Sequence, residues 1–179
     1  MMYQTIARRT STTIVLHRIV AIAFLAMLGF GFFLRYVADP HVLIDLHRSM
    51  GVIVLLVAAG GVVWNVWQGR LVNADISPVW MRYFVASVHI FLLIATLAMP
   101  VTGLAMTLGH GDIVSIFGLI NIGPWEPNHE LGAIGSSLHP KIAKLLTLAI
   151  AVHIAGAYKQ HIYAGAARIL SMSVRQSAT

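Results

Sequence analysis

Residues 138–158, LHPKIAKLLTLAIAVHIAGAY, decide the fold of this chain. The stretch is long enough to cross a bilayer as a helix, and it carries two histidines, His139 and His153. Their separation equals about four helical turns, so both imidazoles leave nearly the same helix face, about 21 Å apart along the axis. A single helix therefore presents a nitrogen ligand near each surface of a membrane.

The composition indicates a membrane protein. Of the 179 residues, 58% are hydrophobic and only 10% are charged, whereas about 25% of the residues of a soluble domain are charged. Apolar runs of about twenty residues recur, which is typical of transmembrane helices. The chain has no cysteine, which excludes disulfides, thiolate ligands and iron–sulfur clusters attached by this chain. The net charge is +6, but the basic residues form no continuous stripe along the sequence. Nucleic-acid binding is therefore not expected.

The apolar runs predict four membrane helices, at about 14–36, 47–67, 83–108 and 139–163. Pro100 and Gly103 are expected to bend the third helix, which neighbouring helices can tolerate. Residues 109–137 are predicted to form a long cap loop over one mouth of the bundle, with an apolar piece at 113–122 that suits the membrane interface. The prediction is therefore one all-α domain over residues 1–179, a four-helix transmembrane bundle.

The basic residues predict the orientation of the bundle. Eight lie on one side of the predicted helices, namely Arg8, Arg9, Arg18, Arg70, Arg82, Lys159, Arg168 and Arg175. Four lie on the other side, namely Arg35, Arg48, Lys141 and Lys144. By the positive-inside rule the side with eight is cytoplasmic. Both termini are then cytoplasmic, and the cap loop faces outward.

Five of the nine histidines fall within or at the ends of the predicted helices, in two layers of depth. His47 and His139 share the outer layer, whereas His17, His89 and His153 lie toward the cytoplasm. Ionisable groups inside a membrane are costly and suggest function. Bis-histidine ligation of haem explains the two layers, because a haem iron accepts a neutral nitrogen from either face. A zinc site would instead need three or four ligands at one depth.

The layers predict two ligand pairs. His47 and His139 would hold the iron of an outer haem, and His17 and His153 would hold the iron of an inner one. The depth of His89 also suits the inner haem. It is therefore an alternative ligand to His17, a wall of a cofactor or quinone pocket, or a hydrogen-bonding group between helices.

Two arginines and a further histidine are candidates for supporting roles. Arg18 and Arg48 each adjoin a predicted ligand, where arginine can pair with haem propionates; the alternative is that they extend to lipid headgroups. His161 follows the fourth span by one turn. It belongs either to a quinone site, where a group that titrates near neutral pH is useful, or to the ordinary interface.

Glycines flank several of these histidines, namely Gly29, Gly31, Gly51 and Gly156. Glycine permits a flat macrocycle to approach the backbone closely. Small residues also pack membrane helices together, and we favour packing as the explanation for these four.

At these positions the sequence resembles the prokaryotic cytochrome b561 family over nearly its whole length. The resemblance is carried by His17, Leu46-His47-Arg48-Ser49-Met50-Gly51, His89, Met99-Pro100-Val101-Thr102-Gly103, Leu138-His139, Val152-His153 and His161-Ile162-Tyr163. It implies two haems b in a multi-pass protein of the bacterial inner membrane, with the fourth helix supplying one ligand to each haem. It also implies electron transfer between the outer face and the quinone pool, with ubiquinone as the acceptor.

The chain departs from the family pattern at two places. Pro140 follows the first histidine of the fourth helix, where an acidic residue is common; proline is acceptable in a first helical turn, so His139 is expected at the very start of that helix. Gln160-His161 stands where two adjacent histidines are common. The departures affect the geometry at His139 and the details of a quinone site.

The resemblance leaves more than one function open. Members of the family include superoxide oxidase, an enzyme that passes electrons from superoxide to ubiquinone. Four basic residues could attract such an anion, namely Arg35, Arg48, Lys141 and Lys144. Three acidic residues of the outer loop would repel it, namely Asp112, Glu126 and Glu130. A second hypothesis is an electron-transfer subunit for a periplasmic dehydrogenase or another redox partner. A third, less favoured hypothesis is a non-redox transporter or structural membrane protein.

Overall fold

Four long helices and one short hairpin form the described part of the chain. The computed structural model describes residues 11–67 and 79–176, with side chains up to Lys159. The helices are α1 (Ser11–Phe33), α2 (His41–Trp67), α3 (Val79–Gly109) and α4 (His129–Gln176). A single 3-10 turn, Leu34–Tyr36, extends α1, and strands β1 (Val114–Ile116) and β2 (Ile120–Ile122) lie between α3 and α4.

Each of these four helices is long and apolar enough to cross a membrane. The candidate spans are Ser11–Tyr36, His41–Trp67, Val79–Gly109 and His129–Lys159, with mean hydropathies of 2.1, 2.0, 2.2 and 1.4. Large apolar side chains such as Ile22 and Leu56 are exposed on the outside of the bundle, where lipid would cover them. The predicted fold class, a four-helix transmembrane bundle, is confirmed.

The second helix begins earlier than the sequence predicted. α2 starts at His41, directly after Pro40, whose carbonyl accepts the N–H of Ile44 at 2.7 Å. Proline is favoured at the entry to a helix because its fixed φ suits the first turn. His47 consequently lies inside α2, in its second turn, and does not open the helix.

The fourth helix also begins earlier, at His129 instead of His139. The side-chain oxygen of Asn128 accepts the N–H of Leu131 at 3.0 Å, which is the capping bond of a helix N-terminus. Pro140, expected in the first turn, is inside α4, where neighbouring helices can tolerate it. The predicted cap loop at 109–137 is therefore shorter, and its last part is helical.

The cap contains an antiparallel hairpin. Val114 pairs with Ile122, Ser115 with Asn121, and Ile116 with Ile120. Phe117 and Gly118 have φ values of 50° and 73° in the turn, and the N–H of Leu119 closes it by donating to the carbonyl of Ile116 at 2.9 Å. We call the end of the bundle that carries this hairpin the hairpin end, and the other end the opposite end.

The helices leave a gap on one side of α4. Within the described residues, the backbone of α4 runs close to α3, whereas it stays farther from the backbones of α1 and α2, which it meets through side chains. The backbones of α3 and α4 are very close at Gly135, where a Cβ would overlap the backbone nitrogen of Met106. A small core fills the middle of the bundle and is formed by Phe24, Leu28, Val54, Ala58, Ala95 and Leu146.

Candidate functional site

Two histidines face each other across the gap at the hairpin end. The ring centroids of His47 on α2 and His139 on α4 lie 6.4 Å apart, with an angle of 86° between the ring planes. An imidazole nitrogen binds a transition metal at about 2.0 Å, so two rings on opposite sides of one metal have centroids roughly 6 Å apart. The spacing therefore fits a single metal between the two rings.

Helix α3 fixes the orientation of the His139 ring. Its Nδ1 atom lies 3.0 Å from the carbonyl oxygen of Met99 and 3.3 Å from the hydroxyl of Thr102. Because a carbonyl can only accept, Nδ1 carries the hydrogen. The other nitrogen, Nε2, is then unprotonated and available as a metal ligand, the arrangement found at most metal-bound histidines. Pro100 interrupts the hydrogen bonds of α3 beside this contact.

The other ring of this pair has an unsatisfied nitrogen. The Nδ1 atom of His47 is buried and has no hydrogen-bond partner within the described part of the chain. Phe30 packs against the ring, with centroids 5.6 Å apart. Buried polar atoms nearly always have a partner, so a group that supplies one fits here.

Two glycines give the pair its room. A Cβ on Gly31 would lie 3.2 Å from Cε1 of His47, and a Cβ on Gly103 would lie 3.1 Å from Cε1 of His139. The backbones of α1 and α3 can therefore approach the edges of the two rings. Around Gly29 and Gly156, by contrast, a Cβ would meet nothing within 4 Å.

The cleft around this pair is mainly apolar. Met27, Leu28, Phe32, Met99 and Ala143 contribute to its walls. An apolar cleft that holds two facing imidazoles is the environment expected for a haem, because the macrocycle is largely apolar and its iron takes two axial nitrogens. The residues present therefore fit that cofactor.

Two arginines near the cleft have different surroundings. Arg35 also lines the cleft. The guanidinium of Arg48, predicted as a candidate for haem propionates, contacts Asp112 at 3.1 Å and Asp45 at 3.4 Å. Arg48 therefore links α2 to the segment before the hairpin.

Three histidines come together at the opposite end. The ring centroids of His17 on α1 and His153 on α4 are 6.2 Å apart, and those of His89 on α3 and His153 are 4.9 Å apart. The Nδ1 atom of His89 donates to the carbonyl of Val85 at 2.7 Å, because that carbonyl can only accept. The first spacing resembles that of the hairpin-end pair.

The structure says less about the two other residues predicted for the functional site, Arg18 and His161. Arg18 follows His17 on α1 and is exposed. His161 lies outside the residues whose side chains the structure describes.

The sequence did not predict several residues that contact the His47–His139 pair. They are Phe30, Arg35 as part of the cleft, the carbonyl of Met99, and Thr102. Gly103 was predicted only to bend α3. Pro100 does not reveal the Met99 carbonyl, because a helical proline removes the hydrogen bond to the carbonyl four residues earlier, which is that of Thr96.

The fold and the paired histidines define a class, the membrane b-type cytochromes. The chain matches the prokaryotic cytochrome b561 family over residues 8–173 and belongs to it. It is similar to cytochrome b561 homolog 1 of Escherichia coli (strain K12), with 29% identity over 168 residues that cover 86% of this chain and 90% of that protein.

Family membership establishes the general role of the protein. It is a multi-pass bacterial membrane cytochrome of the b type, it functions in electron transfer, and its lipid surroundings and haem b follow from the family. The hypothesis of a non-redox transporter or structural protein does not agree with this membership and is set aside.

Proposed function

We propose that the chain holds two haems b and carries electrons between a donor on the outer side of the bacterial inner membrane and quinone on the inner side. The observation that supports this most strongly is that two histidines of α4 each face a histidine of another helix. The ring centroids of the two pairs are 6.4 Å and 6.2 Å apart, and each pair bridges the gap that separates α4 from α1 and α2.

His47 and His139 are the proposed ligands at the hairpin end. A haem b held there supplies a one-electron couple between ferric and ferrous iron. The carbonyl of Met99 keeps the His139 ring in the orientation that presents Nε2 to the cleft. The walls around the rings are mainly apolar, and Arg35, which also lines the cleft, can pair with a carboxylate there.

His17 and His153 are the proposed ligands at the opposite end. The distance of 4.9 Å between the centroids of His89 and His153 is too short for two rings on opposite sides of one metal, whereas 6.2 Å suits His17 and His153. His89 then packs beside the ligand pair. Arg18 is proposed for the propionates at this end, and His161 for the quinone site.

The proposed orientation places the hairpin end outside, with both termini in the cytoplasm, as the distribution of basic residues predicts. Superoxide is the proposed donor and ubiquinone the proposed acceptor. Arg35, Lys141 and Lys144 are basic groups near the hairpin end that would attract an anion.

A second candidate is an electron-transfer subunit for a periplasmic redox protein. Glu126, between the hairpin and α4, and Glu130, in the first turn of α4, are exposed. They would repel superoxide but would complement a basic protein surface. Co-purification of a periplasmic redox protein would favour this candidate.

The first test is a reduced-minus-oxidised visible spectrum of the detergent-purified protein, together with its haem stoichiometry. Two haems b per chain are expected. One haem would disprove one of the two ligand pairs, and none, despite good cofactor supply, would disprove both.

The donor needs a separate test. Superoxide should reduce the purified protein faster than the spontaneous background, and added superoxide dismutase should abolish the excess rate. Equal rates with and without the dismutase would remove superoxide as the donor and leave the two-haem assignment unaffected.

A further inference from the structure

One serine hydroxyl joins the hairpin to α2. Ser49 is only 2% exposed. Its hydroxyl lies 2.8 Å from the carbonyl of Asp45 in its own helix and 2.8 Å from the carbonyl of Ser115, and it accepts the N–H of Phe117 at 3.1 Å. The hydroxyl has a single proton, which the two carbonyls share. It therefore contacts two backbone groups of the hairpin at once.

The position of Ser49 along α2 sets the depth of the hairpin. Ser49 is eight residues past His41, which is about 12 Å along the helix axis. A helix of 27 residues is about 40 Å long, and the hydrocarbon layer is about 30 Å thick, so a centred α2 leaves about 5 Å outside at each end. Ser49 lies below this boundary, and the Phe117 amide lies at the same depth.

Non-helical backbone at this depth needs internal hydrogen bonds. Lipid offers no partner for a backbone N–H or C=O, so irregular structure is tolerated only where the protein satisfies it. Within the hairpin, Leu119 donates to Ile116 across the turn. The Ser115 carbonyl and the Phe117 N–H point away from β2, and Ser49 provides the partner for both.

The turn of the hairpin exposes large apolar side chains. Leu119 is 86% exposed, Ile120 60% and Phe117 50%. Phe117 also has a positive φ, which is uncommon for a bulky residue and suggests a functional constraint. Residues 113–125 carry no charged side chain. In water such a patch would be unfavourable, whereas in lipid it would be stable.

The patch continues a lipid-facing surface. Leu46 and Met50, one turn apart on α2 and close in sequence to Ser49, are also exposed. Asp112 and Arg48, which precede β1 and Ser49 respectively, pair with each other, so opposite charges are matched where the apolar patch begins.

We propose that the hairpin is a membrane-inserted element. The side chains of Phe117, Leu119 and Ile120 contact the acyl chains of the leaflet at the hairpin end, and the Ser49 hydroxyl satisfies the backbone of the turn there. The lipid that binds this surface is identified by its acyl chains, because the patch has no group that would recognise a headgroup.

The absence of cysteine from the chain permits a direct test. A nitroxide spin label is attached to the cysteine of Leu119→Cys, which is then the only cysteine in the chain. The full-length labelled protein is placed in phospholipid nanodiscs. Collisions of the label with oxygen, which concentrates in lipid, are compared with collisions with a water-soluble nickel chelate. The controls are Leu56→Cys, at an exposed position near the middle of α2, and Asp39→Cys, in the exposed connection before α2.

We expect the label at position 119 to behave like the label at position 56, with frequent oxygen collisions and few nickel collisions. Nickel access similar to that at position 39 would overturn the proposal, since the turn would then lie in water and be free to bind a protein. Protection from both reagents would also overturn it, because that pattern indicates burial against another protein.

The role of Ser49 is tested in the Leu119→Cys background. Ser49→Ala should raise nickel access at position 119 several-fold, and Ser49→Thr, which keeps a hydroxyl, should restore protection. The matched control is Ser136→Ala, because the Ser136 hydroxyl donates to the Gly132 carbonyl within its own helix at 2.8 Å. Unchanged nickel access in Ser49→Ala would show that the hydroxyl does not hold the turn.

Discussion

The two histidine sites use the same residue type on the same helix but are organised differently. At the hairpin end, backbone and hydroxyl groups of α3 hold the His139 ring, and glycines contact the edges of both rings. At the opposite end, a third histidine, His89, contacts His153. One site is therefore oriented by the main chain of a neighbouring helix, and the other has an additional imidazole that can compete or assist.

The difference has a cause in the packing of α3 against α4. At Gly135 the two backbones are in direct contact, one turn before His139. This close approach lets the Met99 carbonyl reach an imidazole on the other helix. At the opposite end the neighbour of the α4 histidine is instead a side chain of α3, His89. The neighbour of the α4 histidine is therefore a backbone carbonyl, that of Met99, where the helices are in close contact, and a side chain, that of His89, at the opposite end.

The largest expected effect is the loss of one haem, with the other retained, when a single histidine of α4 is replaced. His139→Ala should abolish the hairpin-end haem, and His153→Ala should abolish the opposite-end haem while leaving the other one reducible, because each imidazole is a direct ligand in the proposal. Haem content per chain and the reduced-minus-oxidised spectrum measure the outcome. Loss of both haems in either variant would mean that the two sites do not form independently.

The next prediction distinguishes which of the two histidines near His153, His17 or His89, binds the haem iron with it. His17→Ala should lose the opposite-end haem, whereas His89→Ala should keep two haems per chain, since only the spacing of His17 suits a shared metal. Low-spin haem signals in electron paramagnetic resonance, together with haem content, report the result. The reverse pattern would make His89 the ligand.

A smaller effect is expected from disturbing the helix contact itself. In Gly135→Ala, the new Cβ would overlap the backbone nitrogen of Met106, and such overpacking typically costs about 1–3 kcal/mol. We expect weaker haem retention at the hairpin end and little change at the opposite end, measured as haem loss on heating in detergent. Gly156→Ala, where a Cβ meets nothing within 4 Å, is the control. Equal loss at both ends would argue against a local role of the contact.

Removal of one hydroxyl should have a milder effect. Thr102→Val keeps the Met99 carbonyl as the partner of His139, so the affinity of the hairpin-end site for haem should fall by less than about tenfold, below the usual range for a group that orients a ligand. Haem titration of the apoprotein measures it. Thr96→Val is the control, because the Thr96 hydroxyl donates to Leu92 in its own helix. A larger fall would mean that Thr102 orients the ring.

The smallest effect is expected at the ion pairs of Arg48. Arg48→Gln removes contacts to Asp45 and Asp112, whose side chains are 60% and 55% exposed, and pairs of this kind contribute about 0–1 kcal/mol each. The free energy of thermal unfolding in detergent should fall by about 1 kcal/mol at low salt and by less at high salt. A decrease that does not depend on salt would indicate lost packing instead of lost charge.

The sequence was sufficient for the main features of the fold. Apolar runs located the four spans, and the spacing of His139 and His153 predicted two sites on one helix. The starts of α2 and α4 were wrong because the decisive signals are local: Pro40 starts one helix and Asn128 caps the other. Pro140 was assigned to a first turn, although a membrane helix can contain proline in its interior.

The site was less predictable than the fold. The Met99 carbonyl has no sequence signature of its own, because every residue has one; only the crossing of α3 and α4 brings it to His139. Depth along the helices could not separate His17 from His89, since both lie at the level of His153. Their distances from that ring, 6.2 Å and 4.9 Å, depend on the lateral arrangement of the helices, which periodicity does not specify.

The packed centre of the bundle has an electrical consequence. Leu146, halfway along α4 between the two histidine sites, is 1% exposed, and Ala58 and Ala95 beside it are 2% and 3% exposed. Such a layer insulates against protons and hydrated ions. An electron that passed from one end to the other would cross alone, and each crossing would move one uncompensated charge, worth about 2.3 kcal/mol per 100 mV of membrane potential. The turnover of the protein would then respond to the voltage of the cell.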